Sequence, residues 1–476
     1  MPAPTPTLLF YDTETTGLKK CFDQVMQYAA IRTDLDFNEI ERHEFYVKLN
    51  PDIIPSPGAI ITHRIPISAC LKAKYNEYEA MQKIHELMNE PGTISIGYNT
   101  LGFDDELLRF GFYRNLQTPY THQYANGCSR MDLYPMAAAY HLYKPDVLTW
   151  PQIEGKVSLK LEHLSAANAL AAGMAHNALV DVEATIELAK RFKKNAEMWK
   201  YLTGFFDKAT DGERLQKLPR TDYGSHYGIL VNGRYGAKRL FQSVCLNLGP
   251  HKHYNNQTVW LRLDDVDFAT LDKETIHKDV FALFRKRAET YFALPPEERF
   301  LQRLSNDRRG LMQKNIDFFG INPEILKQLQ RYHCHYTYPE VPGVDVDAAL
   351  YGQGFPDEAT KRMLLQFHRS KPSDKKAIMQ QLSVKHYHEL AFRLLARNYP
   401  ELLDDGELNE FTENMSKPMI DYRKQTKLSA EDALKLCDEC EQRDLDAEQQ
   451  TLLSACRAFY SELIHTNPSS PQHLGL

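Results

Sequence analysis

Three short segments within the first 190 residues hold the side chains best suited to chemistry. Asp12-Thr13-Glu14 closes the apolar run Thr7–Tyr11, Asp104-Asp105 follows Asn99-Thr100-Leu101-Gly102-Phe103, and Asp181 stands five residues after His176. At positions i and i+2 of a strand, Asp12 and Glu14 project to one face. Two adjacent carboxylates repel each other unless a cation lies between them, and their hard oxygens suit Mg²⁺ or Mn²⁺. A carboxylate at the start of a helix sits beside the positive helix end, where it can share such a cation. Each segment also has a plainer explanation. The D-x-E pair fits a solvated strand end before the turn Thr16-Gly17, either Asp104 or Asp105 fits a helix N-cap, and His176 fits a surface histidine.

Positioning these groups requires strands and helices in alternation. Thr7–Tyr11, Val25–Arg32, His43–Leu49 and Ile94–Tyr98 have strand composition, while Tyr75–Leu87, Phe103–Tyr113, Leu159–Leu170 and Ala178–Phe192 carry apolar residues at helical spacing. This pattern predicts an α/β sheet flanked by helices. Thr258–Leu263 reads as a strand of a small β-rich region, and the chain beyond about 355 reads as helical, with Leu390, Leu394 and Leu395 on one stripe and Asn398-Tyr399-Pro400 as its stop. Thr466–Leu476 reads as a disordered tail.

At 476 residues the chain has room for about three domains. With 57 Lys and Arg against 63 Asp and Glu, the formal charge is −6, so any polyanion must be met by a local groove. The stretch Arg214–Arg239 is the candidate: Arg214, Lys217, Arg220, Arg234, Lys238 and Arg239 face one acid, Asp222, with Tyr223, Tyr227 and Tyr235 between them. Cations that track phosphates and rings that stack on bases suit single-stranded nucleic acid; a solvated loop with core tyrosines fits the same stretch. Eight scattered cysteines read as reduced thiols of a cytosolic protein. Cys437-x2-Cys440 lacks a second pair at zinc spacing, no apolar run approaches the roughly 18 residues of a membrane span, the N-terminus lacks a secretory n-region, and no Walker-type loop appears.

D-x-E on a first strand, then N-x3-F-D, then H-x4-D is the pattern of the DEDDh exonucleases, which the chain resembles. The resemblance extends to the bacterial exonuclease I family through Gln27–Asp34, Gly97-Tyr98-Asn99, Phe103–Glu106, Phe112–Asn115, Leu161–Leu164 with Ala167-Asn168, Val346–Tyr351 and Ala396–Pro400. It implies Asp12, Glu14, Asp104 and Asp181 as ligands of two Mg²⁺ ions, with Mn²⁺ as a substitute, and His176 as general base. Hydrolysing a phosphodiester needs an activated water and a stabilised leaving oxygen, which two ions about 3.5–4 Å apart provide, and an imidazole, titrating near neutrality, accepts the proton.

The family further implies a ribonuclease H-like exonuclease domain (1–195), an SH3-like β-rich domain (196–350) and a C-terminal α-helical domain (351–476) forming a channel. It implies 3′→5′ degradation of single-stranded DNA to 5′-mononucleotides, in DNA repair and recombination, by a monomer of the bacterial cytoplasm. The acidic tail of the single-stranded DNA-binding protein is the expected partner. Carried over by position, Glu14, Arg109, Tyr120, Tyr124, Lys160, Tyr201, Lys208 and Asn306 would meet DNA; for Arg109 a plain surface arginine fits as well. Lys160 stands where the family has arginine, Ala138 where a basic residue lines the channel, and Leu395 where the third domain's motif has arginine. Two other readings remain: a related enzyme acting on RNA or short oligonucleotides, and a binding protein with an idle nuclease fold.

Overall fold

The computed structural model describes residues 4–173 and 176–465, so the expected C-terminal tail lies outside the described residues. Strands β1 (Thr7–Thr15), β2 (Val25–Thr33), β3 (Glu39–Tyr46), β4 (Thr93–Gly97) and β5 (Ser129–Asp132) form one sheet in the order β3-β2-β1-β4-β5. The first three are antiparallel, whereas β4 and β5 run parallel to β1. This is the ribonuclease H-like α/β arrangement expected from the sequence. The third strand lies about four residues earlier than expected, because Glu39, Glu41 and His43 alternate along a polar edge strand, where charge discourages further pairing.

Helices α1 (Pro57–His63), α2 (Ile67–Leu71), α3 (Glu77–Asn89), α4 (Asp104–Arg114), α5 (Leu133–Tyr143), α6 (Leu161–Asn168) and α7 (Ala178–Lys193) complete the region. Alternation along β1 divides its apolar residues between two cores. Leu9 and Tyr11 pack with Ala80, Met81 and Ile84 of α3 and Leu107, Leu108 and Phe112 of α4; Leu8 and Phe10 join Met136, Tyr140, Val182 and Leu188 of α5 and α7.

A second antiparallel sheet takes the strands in the order 282–286, 257–262, 242–250, 227–231, 292–294, as the β-rich expectation required. Its core is continuous with that of the first sheet: Ile229, Val244 and Phe292 share one buried cluster with Phe10, Met136 and Val182. The remaining chain is helical and folds back onto the first region. Phe367, Leu390 and Leu394 share a cluster with Tyr78, Phe110 and Tyr113, and Cys437, Cys440 and Cys456 are buried against α1 and α2.

Two motifs that carried the family resemblance prove to be the bolt of this return. Arg397, in the helix Lys385–Asn398, binds both carboxylate oxygens of Asp52 at 3.0 and 2.8 Å and also reaches Asp347; Lys427 makes a further contact with Asp52. Burial alone would raise the Asp52 carboxyl, yet Arg397 and Lys427 hold it well below the usual carboxylate range. Removing one partner strands buried charge. Arg397→Ala is therefore expected to destabilise the fold by about 3 kcal/mol or more, read by denaturant unfolding; a loss below about 1 kcal/mol would contradict this bolt.

Candidate active site

Strand β4 pairs with β1 only from Thr7 to Phe10, so β1 runs on past its neighbour with Asp12 and Glu14 on a free edge. On the other edge, β2 keeps Asp12 opposite Ala29 and Glu14 opposite Gln27. The chain leaving β4 turns sharply: a Cβ on Gly97 would lie 2.1 Å from Thr100, so only glycine permits this approach. Asp132, buried at the end of β5, accepts from Asn99 N and Leu101 N at 2.8 and 3.1 Å and from Tyr134 N at the start of α5. That loop delivers Asp104 as the first residue of α4, where Thr13 Oγ1 donates to its carboxylate. From the far side, Asn177 caps α7 by accepting from Leu179 N and Val180 N, which places Asp181 in its first turn.

Five side chains separated by up to 169 residues in sequence thus converge. Ligand atoms of Glu14, His176 and Asp181 lie within 4.8 Å of one another. Asp12 and Asp104 complete the group: withdrawal from water and then the charges of Asp104, Glu14 and Asp181 push Asp12 well above the carboxylate range. Glu14 is raised by burial and by Asp181 and Asp104. Burial lifts Asp104 to about 7 and Asp181 to about 6. His176 has a positive φ of 62°, and its Nε2 lies 3.1 Å from Glu162 Oε2.

Carboxylates raised by burial and mutual repulsion favour the protonated fold. The unfolded chain releases those protons near pH 4, so stability falls as pH rises from there through the folded values and stays low above them. In chelator, Asp104→Asn is expected to raise thermal stability by about 1–3 kcal/mol at pH 8, with the gain shrinking toward pH 5. A calorimetric loss at pH 8 would contradict the raised Asp104 carboxyl. Because a cation must displace these protons, affinity for a divalent ion rises with pH across the same window.

The remaining expected positions are dispersed. Arg109 is 8% exposed and faces inward, paired with Asp105 at 3.2 Å and lying over the Tyr120 and Tyr351 rings. Burial would raise Asp105, but Arg130, Arg109 and His122 hold it far below the usual range. Lys160 is exposed and 3.1 Å from Glu162. Tyr124, Lys208 and Asn306 are exposed, and Tyr201 lies under Arg214. Within the basic stretch, Arg214 and Arg239 are engaged by Tyr201 and by Asp264 and Asp265, whereas Lys217, Arg220, Arg234 and Lys238 are exposed, Arg234 close to Gly102 of the Asp104 loop. Ala138 and Leu395 are core residues.

Asp132, Glu162, His63 and Leu18 were not foreseen. His63 accepts from Ile65 N, burial pushes it down to about 4, and it senses the charge of His176. Leu18, just past the acids, is 82% exposed. A helix-start signal at Asp132 before Leu133–Tyr143 is present in the sequence, whereas Glu162 and His63 are marked only by their approach to His176, and Leu18 only by its exposure.

Fold and site together define an exonuclease of the ribonuclease H-like class, and residues 9–189 match the family model described as exonuclease, while 344–463 match that of the exonuclease I C-terminal domain. Exodeoxyribonuclease I of Escherichia coli K12 is 31% identical over 431 residues, covering 86% of this chain and 89% of that one. The chain belongs to the exodeoxyribonuclease I family. Similar solved structures include the zinc-bound E. coli exonuclease I–single-stranded DNA complex (TM-score 0.82, 27% identity, 97% of this chain and 100% of that one). Another is an SSB/exonuclease I structure with an inhibitor (TM-score 0.80, 26% identity, 97% and 100%).

Proposed function

We propose that this exodeoxyribonuclease degrades single-stranded DNA from its 3′ end to 5′-mononucleotides, using Mg²⁺ held by Asp12, Glu14, Asp104 and Asp181. The observation that carries the reading is the convergence of four mutually repelling acids with His176 on the free edge of β1. The donor set fits a divalent cation: hard oxygens gathered in a place that costs free energy while their charge stays uncompensated. When bound, a pair of Mg²⁺ ions supplies an activated water and stabilises charge on the leaving 3′-oxygen. Mn²⁺ fits the same oxygens.

In this reading His176 accepts the proton of the attacking water, and the contact of its Nε2 with Glu162 Oε2 at 3.1 Å supports it by orienting the ring. Leu18 offers an apolar face to the terminal base, and Arg234 offers charge to a phosphate near the Asp104 loop. Of the carried-over contacts, exposed Tyr124, Lys208 and Asn306 reach DNA directly, as does Lys160 on leaving its pairing with Glu162; Arg109 and Tyr120 act through the Asp105 pairing and ring contact that shape the wall beside Asp104.

The division at 195 and 350, the monomeric state, the bacterial cytoplasm and the role in repair and recombination belong to the same reading. So does partnership with the acidic tail of the single-stranded DNA-binding protein, supported by its pairing with an exonuclease I in a similar structure. No helix among the described residues is long and apolar enough to cross a membrane. The test is release of mononucleotides from 3′-labelled single strands with Mg²⁺, beside ribo-oligonucleotides of equal length. Faster release from RNA would favour the ribonucleolytic alternative, and metal-independent binding without cleavage the idle one.

A further inference from the structure

Helix α4 opens on three consecutive acids, Asp104, Asp105 and Glu106, of which the carboxylate site uses only the first. The other two are engaged elsewhere. Asp105 is paired with Arg130, Arg109 and His122. Glu106 is met by Lys20, from the turn that leaves β1. The Lys20 ammonium donates to Glu106 Oε2 at 2.6 Å and to Gly102 O at 2.8 Å. Gly102 and Glu106 stand two residues before and two residues after Asp104, so one cation grips the Asp104 loop on both sides.

An ordinary surface ion pair joins two long side chains and leaves the backbone free. Lys20 instead holds a loop carbonyl as well, and the Lys20 and Glu106 side chains are only 17% and 14% exposed. The second oxygen of Glu106, Oε1, accepts from the hydroxyls of Tyr351 and Tyr422 at 2.9 Å each, and both rings pack on Phe110, one turn further along α4. The turn that carries Lys20 is itself braced. Asp23 accepts from Lys19 N and Thr16 Oγ1, and Arg114, the last residue of α4, donates to Cys21 O and Asp23 O. The turn between β1 and β2 is thus tied to the start of α4 by Lys20 and to its end by Arg114. Strand β1 brings Asp12 and Glu14, and α4 brings Asp104, so the tie sets the spacing between two parts of the acid group.

We infer that Lys20 is a positioning residue for the reaction: through Glu106 and Gly102 it holds Asp104 at the separation from Asp12 and Glu14 that divalent ions require, acting through those groups rather than on the DNA itself. Misplacing a reacting group by about 1 Å costs on the order of 10²-fold in rate, so the effect falls on the chemical step more than on binding. Lys20 also neutralises Glu106, as Arg130 and Arg109 neutralise Asp105, which leaves the charge of Asp104 for a cation. The inference rests on the nuclease reading above and deepens it.

The test is steady-state hydrolysis of a short oligothymidylate with Mg²⁺, beside affinity for the same strand in chelator. Lys20→Met keeps the reach of the side chain and removes its charge. Its kcat is expected to fall roughly 10- to 100-fold, while KM and affinity in chelator stay within about twofold of wild type. Lys20→Arg, which retains the charge, should recover most of the lost rate. Glu106→Gln keeps an acceptor for the two tyrosine hydroxyls and should also lower kcat with KM kept. The double variant should be no slower than Lys20→Met alone, because both changes break one contact. A pair that served folding alone would shift thermal stability and spare turnover, so a kcat for Lys20→Met within about twofold of wild type overturns the inference. A loss confined to KM and chelator affinity also overturns it, making Lys20 a phosphate contact. If Lys20→Met does not fold, Glu106→Gln decides on the same criteria. A wild type that releases no mononucleotide overturns the carboxylate reading and this inference with it, whereas equal kcat in wild type and Lys20→Met overturns the inference alone.

Discussion

Asp12→Ala is expected to lower mononucleotide release with Mg²⁺ by about 10⁴-fold or more, while affinity for a short oligothymidylate in chelator stays equal or rises. Asp12 feels the charges of all three other acids and so lies within reach of each of them. Without it the remaining oxygens hold a cation weakly, and the chemistry loses the lowered pKa of the attacking water and the stabilised leaving oxygen together; 10⁴-fold corresponds to about 5.5 kcal/mol of barrier. Binding moves the other way because one negative charge is withdrawn from beside a phosphate. In the same variant the rise in thermal stability on adding Mg²⁺ should shrink, since an ion that binds only the folded state stabilises in proportion to its affinity. Turnover within tenfold of wild type would remove the site assignment.

His176→Ala is expected to slow release by roughly 10²–10⁴-fold, the range of a positioned proton acceptor. Short-strand affinity and stabilisation by Mg²⁺ should both be retained. The second measurement decides a point of geometry, because a nitrogen of His176 lies within 4.8 Å of oxygens from Glu14 and Asp181 and could serve as a ligand instead. If His176→Ala loses its response to Mg²⁺ as fully as Asp12→Ala, the imidazole holds the cation and is not the base. The contact with Glu162 favours the base, since an acceptor on one nitrogen fixes the ring and stabilises the imidazolium formed on proton transfer.

Reading the chain in one dimension served well where a function compresses into a few adjacent residues. D-x-E works through the two-residue period of a strand, and Asp181 through the first turn of a helix; both are local rules that survive whatever else the fold does. The same reading stops where identity and environment separate. Arg109 and the arginines of 214–239 carry the same charge wherever they lie, yet Asp105, Asp264 and Asp265 engage two of them, leaving Arg220 and Arg234 exposed. Ala138 and Leu395 looked like lost cations and are core residues.

What the sequence determined by itself was the inventory and its order: an α/β first half, a β-rich middle, a helical end, and five chemically apt residues in three segments. Only the tertiary structure decided which charges would share a volume. It brought Asp132 of one strand under the loop that carries Asp104, set Glu162 against His176, and turned Arg397 toward Asp52 some 345 residues away. The physical reason is that electrostatic interaction depends on distance through space and on exclusion of water, and neither quantity is a property of position along the chain.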